Sequence, residues 1–493
     1  MSKNVLLQKI KEKDNFILTE NGAVAYKSTM NALMDLFALG GAYRNRSEQD
    51  KILLFKKAFE ENETYALKCL FYLRDITKGQ GERNFFRVVI NWLAFNHPDA
   101  IKRNMQFIPM MGRWDDLYEF VDTPLEKDAF NFMREQFLLD LRSITPSLLA
   151  KWLKSENTSS QESRHLARKT IKAFGLTPKN YRKALSMLRK KIKVLERLMS
   201  LQQWDDIHFD KIPSRAGMIY SNAFARNDVL KQRYMAFLSN KKTKVNAATL
   251  YPCDVVKYAL NAYNKEQIMT AEKYWENLTD YFQNAVFNGV AVVDTSSSMT
   301  CGRGSITPID VAISLGMYCA EKCNPKSPWY GHYISFSRKA QLVEIEGTSF
   351  ADKVRRIKNK NLCENTNIES VFDLILGTAI TYQLKDEDMP KNIVIISDME
   401  FDFVAGRDWS DDSRQRATME RLASRFAANG YQIPHLIYWN VNSRQNNIPM
   451  QPKNGISLVS GYSPVIFEQI LAGKSGYDLM MDKLNSKRYE DIE

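Results

Sequence analysis

With 493 residues, 44% of them hydrophobic and 26% charged, the chain is too long for one ordinary core and too apolar to be disordered. Lysine and arginine outnumber aspartate and glutamate by 69 to 57, and the resulting net charge of +12 favours a polyanionic partner unless it is spread evenly over the surface. No run approaches the roughly 18 uncharged apolar residues of a membrane-spanning helix, so such a span is not supported, and the six scattered cysteines read as reduced thiols. With no signal peptide to read, a cytoplasmic location is expected. Cys319 and Cys323 share a helix face but lack a second ligand pair, so they read as small buried hydrophobes rather than a zinc site.

From about Ala32 to Lys273 apolar residues recur at helical spacing, as in MNALMDLFALGG, FFRVVINWLAF and YRKALSMLRKKIKVLERLM. This pattern predicts eight to twelve helices, stacked as antiparallel pairs because a helix with one apolar stripe must bury it against another. No fixed period appears, so a solenoid built from them is irregular, and a compact non-repeating helical domain is the alternative. After about Val286 the pattern changes to short runs rich in Val, Ile and aromatics: GVAVVD, HYISFS, QLVEIE, NIVIISD, IPHLIYWN and ISLVSG. Helical segments between several of them predict a doubly wound, mostly parallel sheet. QLVEIE follows HYISFS after a short turn, which predicts a hairpin and one antiparallel edge strand. Two domains are therefore expected, a helical one over 1–280 and an α/β one over 285–493.

Within the α/β half, AVVDTSSSMT places Asp294, Ser296 and Ser298 at alternate positions directly after an apolar strand. Thr366, just before a helix, and Asp398, after NIVIIS, lie in two further loops at strand ends, where ligands of open α/β sheets bind. Hydroxyls with few carboxylates are hard oxygen donors suited to an octahedral divalent ion such as magnesium. Two other readings stay open at this point. DTSSS is compatible with a turn bonded to its own backbone, with Thr366 capping the helix that starts near Ile368. Asp294, Asp398 and Glu400 are compatible with a metal-dependent nuclease, although Ser296 stands where a phosphatase DxD motif would carry its second aspartate.

Charge is concentrated in the helical half. The segment Glu162–Arg197 holds twelve lysines and arginines against two glutamates. On a helix over Gln161–Phe174, Arg164, Arg168 and Lys172 fall at i, i+4 and i+8 and form one ridge beside His165. Such a ridge suits successive phosphates, with Arg or His stacking on an unpaired base; a solvated helical face is the plain alternative.

DTSSSM at 294–299, with the later Thr366 and Asp398, resembles the DxSxS metal-ion-dependent adhesion site (MIDAS) of von Willebrand factor A domains. Helices followed by such a domain resemble the Ro autoantigen family, in which a ring of HEAT-like repeats, the TROVE module, is closed by the A domain. RDITKGQGER at 74–83 and FIPMMGRWDDLYEF at 107–120 resemble that module. KWLKSENTSSQESRHLARKTIKAFGLTPKNYRKALSMLRK at 151–190, IPSRAG at 212–217 and LYPCDVV at 250–256 are more similar to an uncharacterised Ro-related family of phages, bacteria, plants and fungi. The resemblance implies a noncatalytic ribonucleoprotein component that binds small noncoding or structured RNA. It implies RNA contacts at Arg164, His165, Arg168, Lys169 and Lys172, with Arg83, Arg113 and Arg215 as further candidates. It also implies Mg2+ or another divalent cation at Asp294, Ser296, Ser298, Thr366 and Asp398. A protein offering an acidic residue to that ion is the second kind of partner, and an adaptor without an RNA role the rival reading. CGRGSITP at 301–308 departs from the A-domain pattern by lengthening the first loop, which is compatible with covering the ion or with presenting Arg303 to an acidic partner.

Overall fold

The computed structural model describes residues 15–283, 285–301, 306–336, 339–360, 367–401, 422–445, 447–449, 455–470 and 476–493. Thr366 and Arg303 of the expected site lie outside them.

The chain forms two compact units, one from Met1–Cys69 with Leu250–Ser486, the other from Leu70–Thr249 with Lys487–Glu493. These units do not follow the division expected at 280–285. The first 69 residues pack with the α/β half, although their composition and helical periodicity match those of the segment that follows.

The first unit opens with a small hairpin, β1 (Phe16–Leu18) and β2 (Val24–Tyr26), paired antiparallel. Its main sheet contains β3 (Gly289–Val293), β4 (His332–Ser335), β5 (Gln341–Glu344), β6 (Asn392–Ser397), β7 (His435–Asn440) and β8 (Ile456–Ser460), in the order β5-β4-β3-β6-β7-β8. All neighbours are parallel except β4 and β5, the antiparallel edge that the short SRKA link predicts. Every residue of β3 is buried, as the unbroken apolar run GVAVV requires of a central strand covered on both faces. The helix Pro308–Lys322 lies against it with almost its whole length buried. A Cβ on Gly316 would meet Val293 Cγ2 at 2.4 Å, so the absence of a side chain there is what brings the helix down onto the strand end preceding Asp294. The order of winding reverses about β3: β4 and β5 lie to one side, β6 to β8 to the other. The carboxyl ends of β3 and β6 thus bracket the topological switch point, where open α/β sheets bind ligands.

The N-terminal segment is fastened to the same sheet. Tyr26 and Ile448 exchange backbone hydrogen bonds of 2.8 Å, Ser443 N donates to the carbonyl of Ala42 at 3.1 Å, and Arg44 stacks over the ring of Tyr462 at 3.9 Å. A Cβ on Gly41 would meet the carbonyl oxygen of Ser460 at 2.6 Å, so only glycine allows this approach.

The second unit is helical. Among the described residues fifteen α-helices lie between Ala32 and Glu276, more than the eight to twelve expected, although Ala32–Leu39, Glu48–Glu61, Pro252–Leu260 and Lys265–Glu276 belong to the first unit. The surplus comes from pieces of four to six residues, such as Pro98–Arg103, Leu149–Trp152 and Leu195–Ser200, too short to complete an apolar repeat. Phe137, Phe174 and Tyr181 pack their rings together where three longer helices meet, Glu126–Arg142, Gln161–Phe174 and Pro178–Lys191.

Two buried ionic groups organise this unit. Arg74, itself fully buried, pairs with Asp116 at 2.7 Å, while Arg87 reaches Asp116 at 2.7 Å, Asp115 at 3.0 Å and Glu119 at 3.3 Å. The second group holds the segment 487–493. Asp75 accepts from Arg488 Nε at 2.6 Å, from Arg488 Nη2 at 3.0 Å and from the Tyr489 hydroxyl at 3.1 Å. Burial pushes the Asp75 carboxyl up, but Arg488 and the Thr77 donors outweigh it and hold the carboxyl below its ordinary value of 3.8. Its stabilising contribution is therefore complete above that value and is lost as the pH falls through the lower, folded one. Asp75→Asn is expected to cost about 1–3 kcal/mol in chemical denaturation, because it weakens the hydrogen bonds that the buried Asp75 carboxylate accepts from Arg488, Tyr489 and Thr77. It should also expose the bonds around 487–493 to limited proteolysis, and wild-type resistance of that segment in the variant would contradict this account.

Candidate cation site and nucleic-acid interface

Residue 294 follows β3 directly, and the β3–β6 register sets what it meets. Val293 is opposite Ile396, and the Asp294 amide continues the ladder by donating to the Ile396 carbonyl at 3.0 Å. This places Ser397 beside the Asp294 carboxylate, and its hydroxyl donates to Oδ2 at 2.5 Å. The chain then turns, so that the Ser296 amide donates to Asp294 Oδ1 at 2.9 Å and the hydroxyls of Ser296 and Ser298 lie 3.0 Å apart. Asp398 stands at the end of β6. Its Oδ1 accepts the Glu400 amide at 3.3 Å, while its Oδ2 is buried, accepts no hydrogen bond and has a guanidinium nitrogen of Arg444 at 3.8 Å.

The structure thus brings Asp294, Ser296, Ser298 and Asp398 into one crevice. Burial and then the adjacent Asp294 charge push the Asp398 carboxyl well above the usual carboxylate range. Two buried carboxylates side by side are costly unless a positive charge is shared between them. The orphaned Asp398 Oδ2 and the paired serine hydroxyls fit a hard divalent cation that takes oxygen ligands and keeps waters. As for the helix that follows Thr366, its cap is Asn367, whose side chain accepts from the amides of Glu369 and Ser370.

Glu400, the third carboxylate of the nuclease reading, is committed elsewhere. Its Oε2 accepts the Glu20 amide at 2.7 Å, its Oε1 accepts from Asn447 at 3.0 Å, and its carbonyl accepts from Asn21 at 2.7 Å. Among the described residues no three His, Cys, Asp or Glu side chains are grouped to hold a metal. Arg444 also pairs with Glu20. Sequence reading missed Arg444 and Ser397, although both sit at carboxyl ends of strands, the position that singles out Asp294 and Asp398.

In the helical unit, the helix Gln161–Phe174 runs from Ser160, whose hydroxyl caps it, to left-handed Gly175. Its buried face is Ala167, Thr170, Ile171 and Phe174, which turns His165, Arg168 and Lys172 to solvent. Arg168 keeps 70% of its side chain exposed, with the Glu156 carboxylate 3.9 Å away. Arg164 is drawn off the expected ridge, because it donates to the carbonyls of Thr158 at 2.8 Å and Ser159 at 3.1 Å and ties down the loop before the helix. Lys169 donates to Asp122 at 2.5 Å and Glu126 at 2.9 Å, partners more than forty residues away in sequence. The next helix, Pro178–Lys191, adds exposed Lys179, Arg182, Lys183 and Lys190.

Of the three further arginines, Arg83 and Arg215 both lie within electrostatic reach of Arg113. Burial and the like charge of Arg74 hold the half-buried Arg113 guanidinium below its usual range, and Arg83 and Arg215 add to the repulsion. Arg113 lies over the Trp152 ring at 4.6 Å, while Trp114 stacks on Phe132 at 5.4 Å. Trp114 is therefore a packing residue.

If like charge is what strains the crevice, Asp398→Asn in chelator-containing buffer should melt no lower than the wild type. An ordinary hydrogen-bonded buried carboxylate would lose roughly 1–3 kcal/mol on the same change, and a loss of that size would refute the repulsion.

Residues 288–491 match the family model described as Domain of unknown function (DUF7788), and residues 19–172 and 140–285 match Domain of unknown function (DUF2828). An uncharacterized protein of Acanthamoeba polyphaga mimivirus is 32% identical over 505 residues, spanning 93% of this chain and 85% of its own length. Among solved structures, the crystal structure of Deinococcus radiodurans RO (RSR) protein aligns with 93% of this chain and 99% of its own, at 14% identity and a TM-score of 0.47. The two family matches meet at 285–288, next to the compositional break at Val286, whereas the compact units divide at 69 and 250.

Proposed function

The chain belongs to the family of the domain of unknown function DUF2828, and from that premise we propose that it is a noncatalytic RNA-binding protein of the Ro kind. The observation that carries this reading is the run of exposed cations on two consecutive helices, Arg168 and Lys172 beside exposed His165 on the first, Lys179, Arg182, Lys183 and Lys190 on the second. Of the carboxylates near the first helix, Asp122 and Glu126 are engaged by Lys169, and Glu156 lies 3.9 Å from Arg168, so cations still outnumber acids on this face. A face of this type binds a nucleic-acid backbone through phosphates, so affinity falls steeply with salt, while flexible single-stranded regions supply selectivity. Arg83, Arg113 and Arg215 form a second cationic group on the same unit, and their repulsion at Arg113 favours a bound phosphate. Noncoding or structured RNA is the partner class.

In the α/β unit Asp294, Ser296, Ser298 and Asp398 would hold a divalent cation of the magnesium type, with Thr366 as the further ligand that the A-domain resemblance implies. The ion would supply positive charge between two buried carboxylates and an open position for an acidic group of a protein partner. Commitment of Glu400 to Glu20 and Asn447 leaves this site short of the carboxylates for two-metal hydrolysis, which supports a binding role over a nuclease.

RNA crosslinked to the protein in cells should be recovered with the wild type and lost with Arg168→Ala/Lys172→Ala, once both are shown to fold. In vitro that pair should flatten the dependence of log K on log salt by about 1.4, near 0.7 for each lost single-strand phosphate contact. Equal recovery and an equal slope would reject the face. For the cation, magnesium at roughly a hundred times its Kd is expected to stabilise the wild type by about 2.7 kcal/mol. EDTA should reverse the shift and Asp294→Ala should not show it. Identical melting of wild type in magnesium and in EDTA would remove the ion from the reading.

A further inference from the structure

The helix Pro178–Lys191, the segment 151–157 and the helix Leu195–Ser200 border a cleft of about 730 Å³ in the helical unit. Its size falls within the range of small-ligand sites, and a single nucleotide fits it. Leu185, Val194 and Leu201 give it an apolar lining, while Lys151, Arg182 and Arg197 stand around it as cations. Two acids, Glu156 and Glu196, also border it, and Glu196 accepts from the Tyr220 hydroxyl at 3.3 Å. Cations outnumber acids at the rim, and Arg182 continues directly into the exposed basic face of its helix.

The walls are fixed in place. Arg189 donates to the carbonyls of Ala150 and Leu153, each at 2.9 Å, and to the Ser155 hydroxyl at 3.0 Å; its guanidinium is spent on structure. Tyr181, wholly buried beneath, donates to the Lys154 carbonyl at 2.9 Å. An apolar slot held open by such bonds, with cations at its mouth, matches the two faces of an unpaired nucleotide, a flat base and an anionic phosphate.

We infer that this cleft seats one unpaired nucleotide of an RNA single strand, its base against Leu185, Val194 and Leu201 and its flanking phosphates on Lys151, Arg182 and Arg197. This rests on the RNA reading above and assigns it a pocket. Duplex RNA, whose bases are stacked and paired, cannot enter; it has only the basic face to bind.

The test pairs a cleft-filling variant with a backbone-contact variant. Ser186, exposed and on the cleft wall, is replaced by tryptophan, and Ser186→Trp is compared with Arg168→Ala/Lys172→Ala in binding a single-stranded oligouridylate and a blunt RNA duplex. Ser186→Trp should weaken the oligouridylate about tenfold and leave the duplex unchanged. The double variant should weaken both. Independently, an oligouridylate carrying 4-thiouridine, irradiated with the wild-type protein, should leave its adducts within 182–201. If Ser186→Trp binds the oligomer like wild type, or the adducts lie elsewhere, the cleft assignment falls while the RNA reading stands. If the wild type binds neither RNA, both fall. Should circular dichroism show Ser186→Trp misfolded, the wild-type crosslink map decides alone.

Discussion

The register between β3 and β6 is the constraint from which the α/β site follows. Both strands are buried on both faces, so a slip of one residue would exchange the side chains packed against one helix layer for those packed against the other. The register that burial selects puts Val293 opposite Ile396, and the two chains then leave the sheet side by side. Asp294, Ser397 and Asp398 are brought together by that exit, without any local preference of the loops themselves. The close approach of the Pro308–Lys322 helix at Gly316 fixes the same strand end from above. Packing thus places two carboxylates where neither is comfortable alone, and the serines that follow Asp294 complete an oxygen-lined crevice.

Much of this unit was legible in the sequence because its signals are local. Each strand of the sheet but the edge strand β5 is built on an apolar run, and the edge hairpin follows from a link too short for a crossover. The DTSSS spacing after a buried strand marks the first loop, and NIVIISD marks its partner. What was not legible depends on contacts between distant segments. FIL and VAY are three residues long and carry no periodicity, yet Thr19, Glu20 and Asn21 between them bond Phe401 and Glu400, some 380 residues away. The position of Thr366 relative to the other site oxygens lies outside the described residues.

In the helical unit the charge pattern located the basic face but not the job of each cation. The helix Gln161–Phe174 was readable to its ends from Ser160 and Gly175. Arg164, which shares the spacing of Arg168 and Lys172, and Lys169, which follows Arg168 directly, nevertheless do different things, one closing a loop and the other satisfying two carboxylates from an earlier turn and helix. Helical periodicity reports which side of a helix faces the core. It is silent about which long side chain bends back to a carbonyl, because that depends on where neighbouring loops end.

The assembly of each unit from separated segments bears on synthesis. Residues 70–249 emerge between the two parts of the α/β unit, so its N-terminal hairpin and the Gly41 contact wait for strands translated some 400 residues later. The helical unit waits too, since Lys487–Glu493 belongs to it. Until Arg488 and Tyr489 have left the ribosome, Asp75 lacks the partners that hold it charged in the interior. A nascent chain therefore exposes incomplete cores for most of its translation, a period in which high contact order slows closure and apolar surface is open to aggregation. The protein is thus expected to be acquired as a whole, late and cooperatively, rather than one unit after the other from the N-terminus.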